Sequence, residues 1–133
     1  MRLTSRSEYA LLALIHLARQ KGEAYLPVRA IAEAQGIPPL FLEQILLTLK
    51  RSRHVHSLKG QHGGYRLARP AEKITLAEIV RLFDGALAPT ESASKHFHES
   101  TPIEREKKVL RLFKQIRDYV SDTLENTTLA DVR

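Results

Sequence analysis

The chain of 133 residues contains no cysteine and no tryptophan, and it has only four tyrosines and four phenylalanines. Without thiolates it can form no disulfide bond, no sulfur-ligated zinc site and no iron–sulfur cluster held by its own cysteines. With so few aromatic side chains, a stacking platform for single-stranded nucleic acid is not expected. We therefore expect a protein that uses neither a cofactor nor a bound metal.

Long apolar runs are also missing. No window of the sequence approaches the ~20 consecutive apolar residues that a membrane-spanning helix needs, and Met1–Ser5 lacks the apolar run of a signal peptide. These absences favour a cytoplasmic protein with no membrane partner. A hydrophobic content of 43% over 133 residues is enough for one domain with a buried core, but a second full domain does not fit.

Positive charge is in excess, and it is concentrated in the first half of the chain. Residues 1–74 carry 12 basic and 5 acidic side chains, whereas residues 75–133 carry 9 basic and 10 acidic ones. The densest part, 44–71, has no acidic residue and contains Lys50, Arg51, Arg53, Lys59, Arg66 and Arg69, interspersed with His54, His56 and His62. Because a solvated surface normally mixes both signs, this run indicates a polyanionic partner.

The N-terminal segment predicts a helix. Ser5 and Glu8 have the spacing of a capping box, so the helix should begin near Arg6, and it should end by Gly22. Apolar residues recur at helical spacing in between, and the run 10–18 is apolar enough to be buried on most sides.

A helix-turn-helix is predicted next. Pro27 suits the first position of a short helix, and Gly36 suits the left-handed residue after its end. After Pro38 and Pro39 the pattern over residues 40–51 is helical again, and its apolar face consists of Leu42, Ile45, Leu46 and Leu49. Two short helices joined by a tight turn that contains glycine are typical of this motif.

A β-hairpin is predicted directly after the third helix. Residues 54–59 contain the β-branched Val55, residues 65–67 alternate apolar and polar side chains, and the intervening 60–64 has three glycines. A hairpin in this place is a wing, and its glycine-rich tip with Lys59 favours close approach to a backbone. The alternative is an ordinary surface hairpin.

The second half predicts two helices separated by a loop. Thr75 and Glu78 repeat the capping-box spacing and open a helix that ends at Gly85. Residues 86–101 are predicted to form a loop long enough to indicate function or disorder. Residues 102–126 predict a helix of about 37 Å, and its apolar stripe includes Val109, Phe113, Ile116, Val120 and Leu124.

A helix of that length cannot pack its whole stripe on so small a domain. The simplest partner is the same helix of a second copy, which predicts a homodimer held by the stripe; the alternative is that the helix folds back over the first helix. The predicted fold is mainly α with a small β-hairpin, that is, a winged helix-turn-helix plus a long C-terminal dimerisation helix. The predicted divisions are a winged helix-turn-helix domain over 1–85, a loop over 86–101, and the dimerisation helix and tail over 102–133.

Several short motifs form a specific combination. In chain order they are Met1-Arg2-Leu3-Thr4-Ser5 with Tyr9-Ala10, Ile31-Ala32-Glu33, Gly36-Ile37, Phe41-Leu42-Glu43-Gln44-Ile45-Leu46 with Leu49, Lys59-Gly60, and Gly63-Gly64-Tyr65-Arg66-Leu67. The combination resembles the Rrf2 family of bacterial winged-helix transcription regulators, which includes the iron–sulfur cluster, nitric-oxide and cysteine-metabolism regulators. The resemblance covers about residues 1–85 with specific motifs, and more loosely the long helix and the ending 127–132.

The resemblance implies a homodimer that binds a palindromic operator in double-stranded DNA, with the third helix in the major groove and the wing reaching the minor groove. Glu43 and Gln44 would match family residues near base edges, and Lys59 the basic residue of the wing. Chemistry supports these roles, since a carboxylate can accept from cytosine N4, a glutamine amide can bond adenine, and a narrow minor groove attracts a cation. The candidate DNA-binding residues are Pro39, Leu40, Phe41, Glu43, Gln44, Lys50, Arg51, Lys59, Gln61 and His62.

Two features depart from the family pattern. Members that sense iron or nitric oxide carry three cysteines in the loop that corresponds to 86–101, where this chain has none, so the cysteine-metabolism regulators, which respond through a partner enzyme, match best. We expect residues 87–101 to be mobile or to bind a partner, and the effector to be a protein or a small molecule. Pro38, Pro39 and Leu40 occupy positions where polar side chains are common, which weakens the case for a base contact there.

An enzyme is not expected, because no constellation of a nucleophile and a base, or of paired carboxylates, is visible. The one candidate cluster, His96-Phe97-His98-Glu99, predicts exposed side chains rather than a metal site. His54 and His56 are expected near phosphates or solvent, and His16 in a core or interface. The alternative function is a winged-helix adaptor that binds another protein, such as a metabolic enzyme, although the basic run argues against it.

Overall fold

The computed structural model describes all 133 residues and is mostly helical, with one two-stranded antiparallel sheet. Its elements are α1 (Ser5–Arg19), α2 (Val28–Gln35), α3 (Pro39–Arg51), β1 (Val55–Leu58), β2 (Gly64–Leu67), α4 (Leu76–Asp84), α5 (Lys107–Glu125) and α6 (Leu129–Val132). Short 3-10 turns occur at Ala71–Lys73, Glu91–Ala93 and Pro102–Arg105. The predicted class, a winged helix-turn-helix followed by a C-terminal helix, is confirmed. None of the helices has the length and apolar character needed to cross a membrane.

Helix α1 begins one residue earlier than predicted, because Thr4 and not Ser5 caps it. The Thr4 hydroxyl accepts from the amide of Ser7 at 3.3 Å and donates to the Asp84 carboxylate at 2.5 Å. The fully buried Ser7 hydroxyl donates to the other oxygen of the same carboxylate at 2.6 Å. The start of α1 is thereby fastened to the end of α4.

Helices α2 and α3 form the predicted helix-turn-helix. Gly36 ends α2 with a φ of 66°, in the left-handed region that favours glycine. Pro27 caps α2 instead of occupying its first turn, and Pro38 caps α3, which begins at Pro39. As predicted, one face of α3 is buried, and it consists of Leu42, Ile45, Leu46 and Leu49.

Strands β1 and β2 form the predicted hairpin, with Val55 paired to Leu67. On the outer side of β2, Leu26 and Tyr65 exchange two backbone hydrogen bonds of 2.8 Å. Gly64 has a φ of 142°, and a side chain there would collide with the carbonyl of Leu26. Gly64 is therefore needed to bring the wing against the segment that precedes α2.

The C-terminal helix is shorter than predicted. The 3-10 turn Pro102–Arg105 closes when the Glu106 amide donates to the carbonyl of Ile103 at 3.0 Å, and Glu106 itself is extended. Helix α5 therefore has 19 residues and a length of about 28 Å. The capping box of Thr75 and Glu78 at the start of α4 is confirmed.

Helix α5 packs partly on its own chain, and its principal neighbour is α4 rather than α1. Phe113 packs against the cluster that contains Ala88 and Ala93, and Leu124 against the cluster that contains Val80. Part of the predicted stripe, including these two residues, therefore packs on its own chain. Ile116, in contrast, remains 40% exposed.

The segment between α4 and α5 packs into the protein instead of forming a solvated loop. Ser92 is 1% exposed, and its hydroxyl lies 2.7 Å from that of Thr101. Arg117 of α5 donates to the carbonyl of Ala93 at 2.8 Å, which holds the segment against the helix. The exposed positions of the segment are Pro89, Glu91 and residues 95–100.

The segment after α5 returns to the winged-helix domain. The amide of Leu76 donates to the carbonyl of Thr127, and the amide of Leu129 to that of Ile74, both at 2.9 Å. Leu129 is fully buried in the main core of 17 buried residues, to which α1, α2 and α3 also contribute. The predicted domain boundaries stay a prediction, but the chain beyond Glu125 shares the core of the winged helix.

Candidate nucleic-acid interface

The outer face of α3 is exposed along the helix. Leu40 is 79% exposed, and Glu43, Gln44 and Leu47 are also exposed because they lie between the positions that are buried on the core. The side chains of Glu43 and Gln44 form no hydrogen bond within the chain. Their carboxylate and amide are therefore available to a group from outside.

Two residues of this face also interact with neighbouring elements, Phe41 by packing and Glu43 through its charge. The ring of Phe41 meets that of Tyr9 edge to face, with 5.4 Å between the centroids, and Phe41 is 39% exposed. Burial raises the pKa of Tyr65 in β2, and the negative charge of Glu43 raises it further. Phe41 thus serves packing as well as the surface, and Glu43 lies on the side of α3 that faces the wing.

The tip of the wing carries polar side chains that have no partner within the chain. Lys59, Gln61 and His62 are exposed, and none of them forms an ion pair or a side-chain hydrogen bond within the chain. Pro39, Lys50 and Arg51 on α3 are likewise exposed. The structure therefore leaves every candidate DNA-binding residue at least partly accessible.

Not every cation of the basic run is free, however. Arg66 lies over the ring of Tyr25 at 4.6 Å and donates to the carbonyl of Glu23 at 2.8 Å. Arg69 forms an ion pair with Glu78. The cations of the run without an ion-pair partner are Lys50, Arg51, Arg53 and Lys59.

His54 is buried, which corrects its expected place near phosphates or solvent. It is 7% exposed, its Nε2 lies 2.6 Å from the Glu78 carboxylate, and its Nδ1 lies 2.7 Å from the Ser52 hydroxyl. Burial by itself raises the pKa of Glu78, but hydrogen bonds from His54 and Arg69 outweigh it and lower the pKa below its ordinary value. His54 therefore joins the end of α3 to α4, whereas His56 is exposed as expected.

A second candidate surface is apolar and lies between the N-terminus and α5. It is a groove of about 500 Å³ lined by Met1, Leu3, Ala88, Pro89, Ile116, Tyr119, Val120, Thr123 and Leu124. Of the predicted dimerisation residues, Ile116, Val120 and Leu124 line this groove, whereas Val109 and Phe113 do not. Sequence reasoning missed Tyr119, which is 76% exposed, because it falls outside the apolar stripe.

The segment that corresponds to the cysteine loop does not offer the thiolates that hold an iron–sulfur cluster. The hydroxyls of Thr90, Ser92 and Thr101 lie within 3.5 Å of one another and use each other as hydrogen-bond partners. His98 contacts Glu104 at 3.3 Å, but nowhere in the chain do three or more histidine, cysteine, aspartate or glutamate side chains converge as a metal site would require. An iron site held by this chain does not fit these residues.

Comparisons with known sequences agree on one family. The family model described as Rrf2, iron-dependent transcriptional regulator, matches residues 3–133. The chain is 37% identical over 133 residues to a Mycobacterium tuberculosis protein named as an HTH-type transcriptional regulator, covering 99% of this chain and 81% of that protein. It is 31% identical over 132 residues to the HTH-type transcriptional regulator CymR of Bacillus subtilis, covering 99% and 89%.

Solved structures share the fold over almost the whole chain. CymR of B. subtilis, described as its global cysteine regulator, matches with a TM-score of 0.80 at 30% identity, covering 99% of this chain and 95% of that one. IscR of T. potens matches with a TM-score of 0.75 at 26% identity, covering 99% and 85%. The family is one of transcriptional regulators, which are generally not enzymes. Because the family model matches residues 3–133 and the structure has the winged helix and the exposed face of α3, the chain belongs to the Rrf2 family of DNA-binding transcriptional regulators.

Proposed function

We propose that the protein binds a palindromic operator in double-stranded DNA as a homodimer, without an iron–sulfur cluster. In this arrangement α3 enters the major groove and the wing reaches the adjacent minor groove. The observation that carries the proposal is the free face of α3, where the unpaired side chains of Glu43 and Gln44 are followed by the unpaired cations Lys50 and Arg51.

The polar side chains divide between two kinds of contact. Gln44 can bond the N6 and N7 of adenine, and Glu43 can accept from the N4 amine of cytosine, so these residues would read bases. Lys50 and Arg51 would hold phosphates, which position the protein without reading sequence. Lys59 at the wing tip carries a charge that a narrow minor groove attracts.

The apolar groove beside α5 supports the dimer. Tyr119 and Ile116 expose large apolar surfaces there, and a contiguous apolar face of this kind favours association. Two copies related by a two-fold axis read DNA together when their recognition helices lie about one DNA turn, ~34 Å, or a multiple of it apart. A pseudo-palindromic site follows from that symmetry.

Selection of bound duplexes from a random DNA pool tests the proposal. The expected result is a site with two inverted half-sites, bound with strong salt dependence. Because each copy has four unpaired cations in the basic run, the logarithm of the dimer's affinity should fall with the logarithm of salt at a slope of about −7.

A pool that yields no enriched sequence, together with a slope near zero, would contradict the proposal. If the protein also captured a defined metabolic enzyme under those conditions, the adaptor function would replace it.

A further inference from the structure

The corner between α3 and β1 contains an unusual backbone conformation. Arg53 is the one residue other than glycine with a positive φ, at 64°. It follows the helix at a place where chains commonly adopt this conformation with a glycine, because a Cβ disfavours it. The Arg53 side chain is exposed and forms no ion pair or hydrogen bond within the chain. The fold itself therefore gives no reason for an arginine here.

Arg53 lines a groove between α3 and β1 with a volume of about 640 Å³. The polar residues that line it are Tyr25, Lys50, Arg53, His56, Ser57 and Arg69. No acidic side chain lines the groove, and neither Lys50 nor Arg53 has an ion-pair partner. Uncompensated cations around an open groove are suited to a polyanion.

The length of α3 places this groove relative to DNA. The helix has 13 residues and is therefore about 20 Å long, whereas the major groove is roughly 12 Å wide. If Glu43 and Gln44 lie at base edges, the C-terminal end of the helix extends past the bases to the phosphates. The carbonyls at that end repel anions, and the cations of Lys50, Arg51 and Arg53 offset this repulsion.

We propose that Arg53, with Lys50 and His56, forms a phosphate-binding groove that holds the DNA backbone beside each half-site. This inference rests on the proposed function and adds residues to the interface. Backbone strain in proteins concentrates at functional sites. Here an arginine in the left-handed conformation places a charge where a glycine would fit more easily but would bind nothing.

The test compares Arg53→Gly with Lys73→Ala on the DNA site selected with the unchanged protein. Both variants lose one positive charge per copy, and Lys73 is an exposed lysine without an ion pair in the turn before α4. Arg53→Gly should reduce the magnitude of the salt slope by about 2 for the dimer, one phosphate per copy. It should also raise the melting temperature, because glycine removes the strain. Lys73→Ala should change neither the slope nor the melting temperature appreciably.

Neutral methylphosphonates, placed singly along the site, locate the contact. The unchanged protein should lose affinity at one phosphate beside each half-site, and Arg53→Gly should be insensitive there. Arg53→Gln, which keeps a polar side chain but removes the charge, should behave like Arg53→Gly in binding.

If the unchanged protein binds DNA and the Arg53 variants match Lys73→Ala in slope and phosphate sensitivity, the phosphate-binding groove is overturned while the proposed function stands. If the unchanged protein shows no salt-dependent duplex binding, the proposed function itself fails.

Discussion

The imidazole Nε2 of His54 lies 2.6 Å from the carboxylate of Glu78, and this contact joins the segment after α3 to the first turn of α4. Because a carboxylate accepts hydrogen bonds, Nε2 carries the proton. Glu78 also completes the capping box with Thr75, so one side chain serves both α4 and the end of α3. The orientation of α3 is therefore supported by a small, partly buried network at its C-terminal end.

This network predicts a loss of stability in acid. The folded pKa of Glu78 lies below its ordinary value of 4.5, so between the two values the unfolded state binds more protons than the folded state. The stabilisation from ionised Glu78 is fully present above pH 4.5 and is lost as the pH falls through the folded pKa. Urea denaturation between about pH 7 and pH 3 should show that the free energy of unfolding falls less for Glu78→Gln than for the unchanged protein. Glu33→Gln, at an exposed and unpaired position, should lose as much stability as the unchanged protein. If the free energy of unfolding fell equally with pH in all three proteins, Glu78 would not be the cause of the loss of stability in acid.

Leu129 should matter for the stability of the winged-helix domain although it lies far along the chain. Its side chain is fully buried in the main core, so Leu129→Ala should lower the free energy of unfolding by about 2–5 kcal/mol. Val132→Ala, at a position that is 37% exposed, is the matched control and should change it by less than about 0.5 kcal/mol. Chemical denaturation followed by circular dichroism measures both. An equally small effect of the two changes would mean that the C-terminal segment does not dock on the core.

The dimer is best tested at Ile116. Phe113 packs within its own chain, so an aspartate there would unfold the protein as readily as separate two copies. Ile116 is exposed and lines the apolar groove, so Ile116→Asp should place a charge in the interface without disturbing the single chain. Sedimentation velocity at low micromolar concentration should show a monomer. Gln115→Asp, the neighbouring exposed position on α5, should leave the dimer intact. A dimeric Ile116→Asp protein would place the interface elsewhere.

Substitutions of Gln44 and Lys59 should affect DNA binding in two different ways. Gln44→Ala should cost roughly 1–3 kcal/mol at one position of each half-site, whereas Lys59→Ala should weaken binding to all sequences and reduce the salt slope. Affinity measured against a set of single-base variants of the site distinguishes the two patterns. If both variants kept the full affinity and the full sequence preference, α3 and the wing would dock differently from the proposal.

The purified protein should carry no iron–sulfur cluster, and its DNA binding should not need one. Hydroxyls such as that of Ser92 are far less acidic than thiols and are poor ligands for cluster iron, and the chain offers no thiolate. Anaerobic reconstitution with iron and sulfide, followed by visible absorbance spectroscopy, is the measurement. A stoichiometric chromophore that changes the affinity for DNA would contradict this prediction.

Local patterns in the sequence were sufficient to predict the elements that carry the candidate site. The buried face of α3 and the cap of α4 depend on residues three or four positions apart, such as Leu42 with Ile45, so their spacing is visible without a structure. The glycines of the wing and the helix-ending Gly36 are equally local signals.

Contacts between distant residues could not be predicted in the same way. His54 meets Glu78 across 24 positions, and Thr4 meets Asp84 across 80, so both partners depend on the folded path of the chain. For the same reason, sequence reasoning assigned His54 to the surface and Ser5 to the cap of α1. The extended residue Glu106, which shortens α5, follows a 3-10 turn that an apolar stripe does not reveal.

The burial of Leu129 beside residues of α1 also affects when the core can form during synthesis of the chain. Synthesis proceeds at about 5–20 residues per second, so α1, α3 and the wing leave the ribosome several seconds before the residue that completes their core. The winged helix cannot reach its full stability until α5 and the segment after it have been made. A growing or prematurely ended chain therefore lacks part of this core, and its winged helix is less stable than that of a chain that includes Leu129.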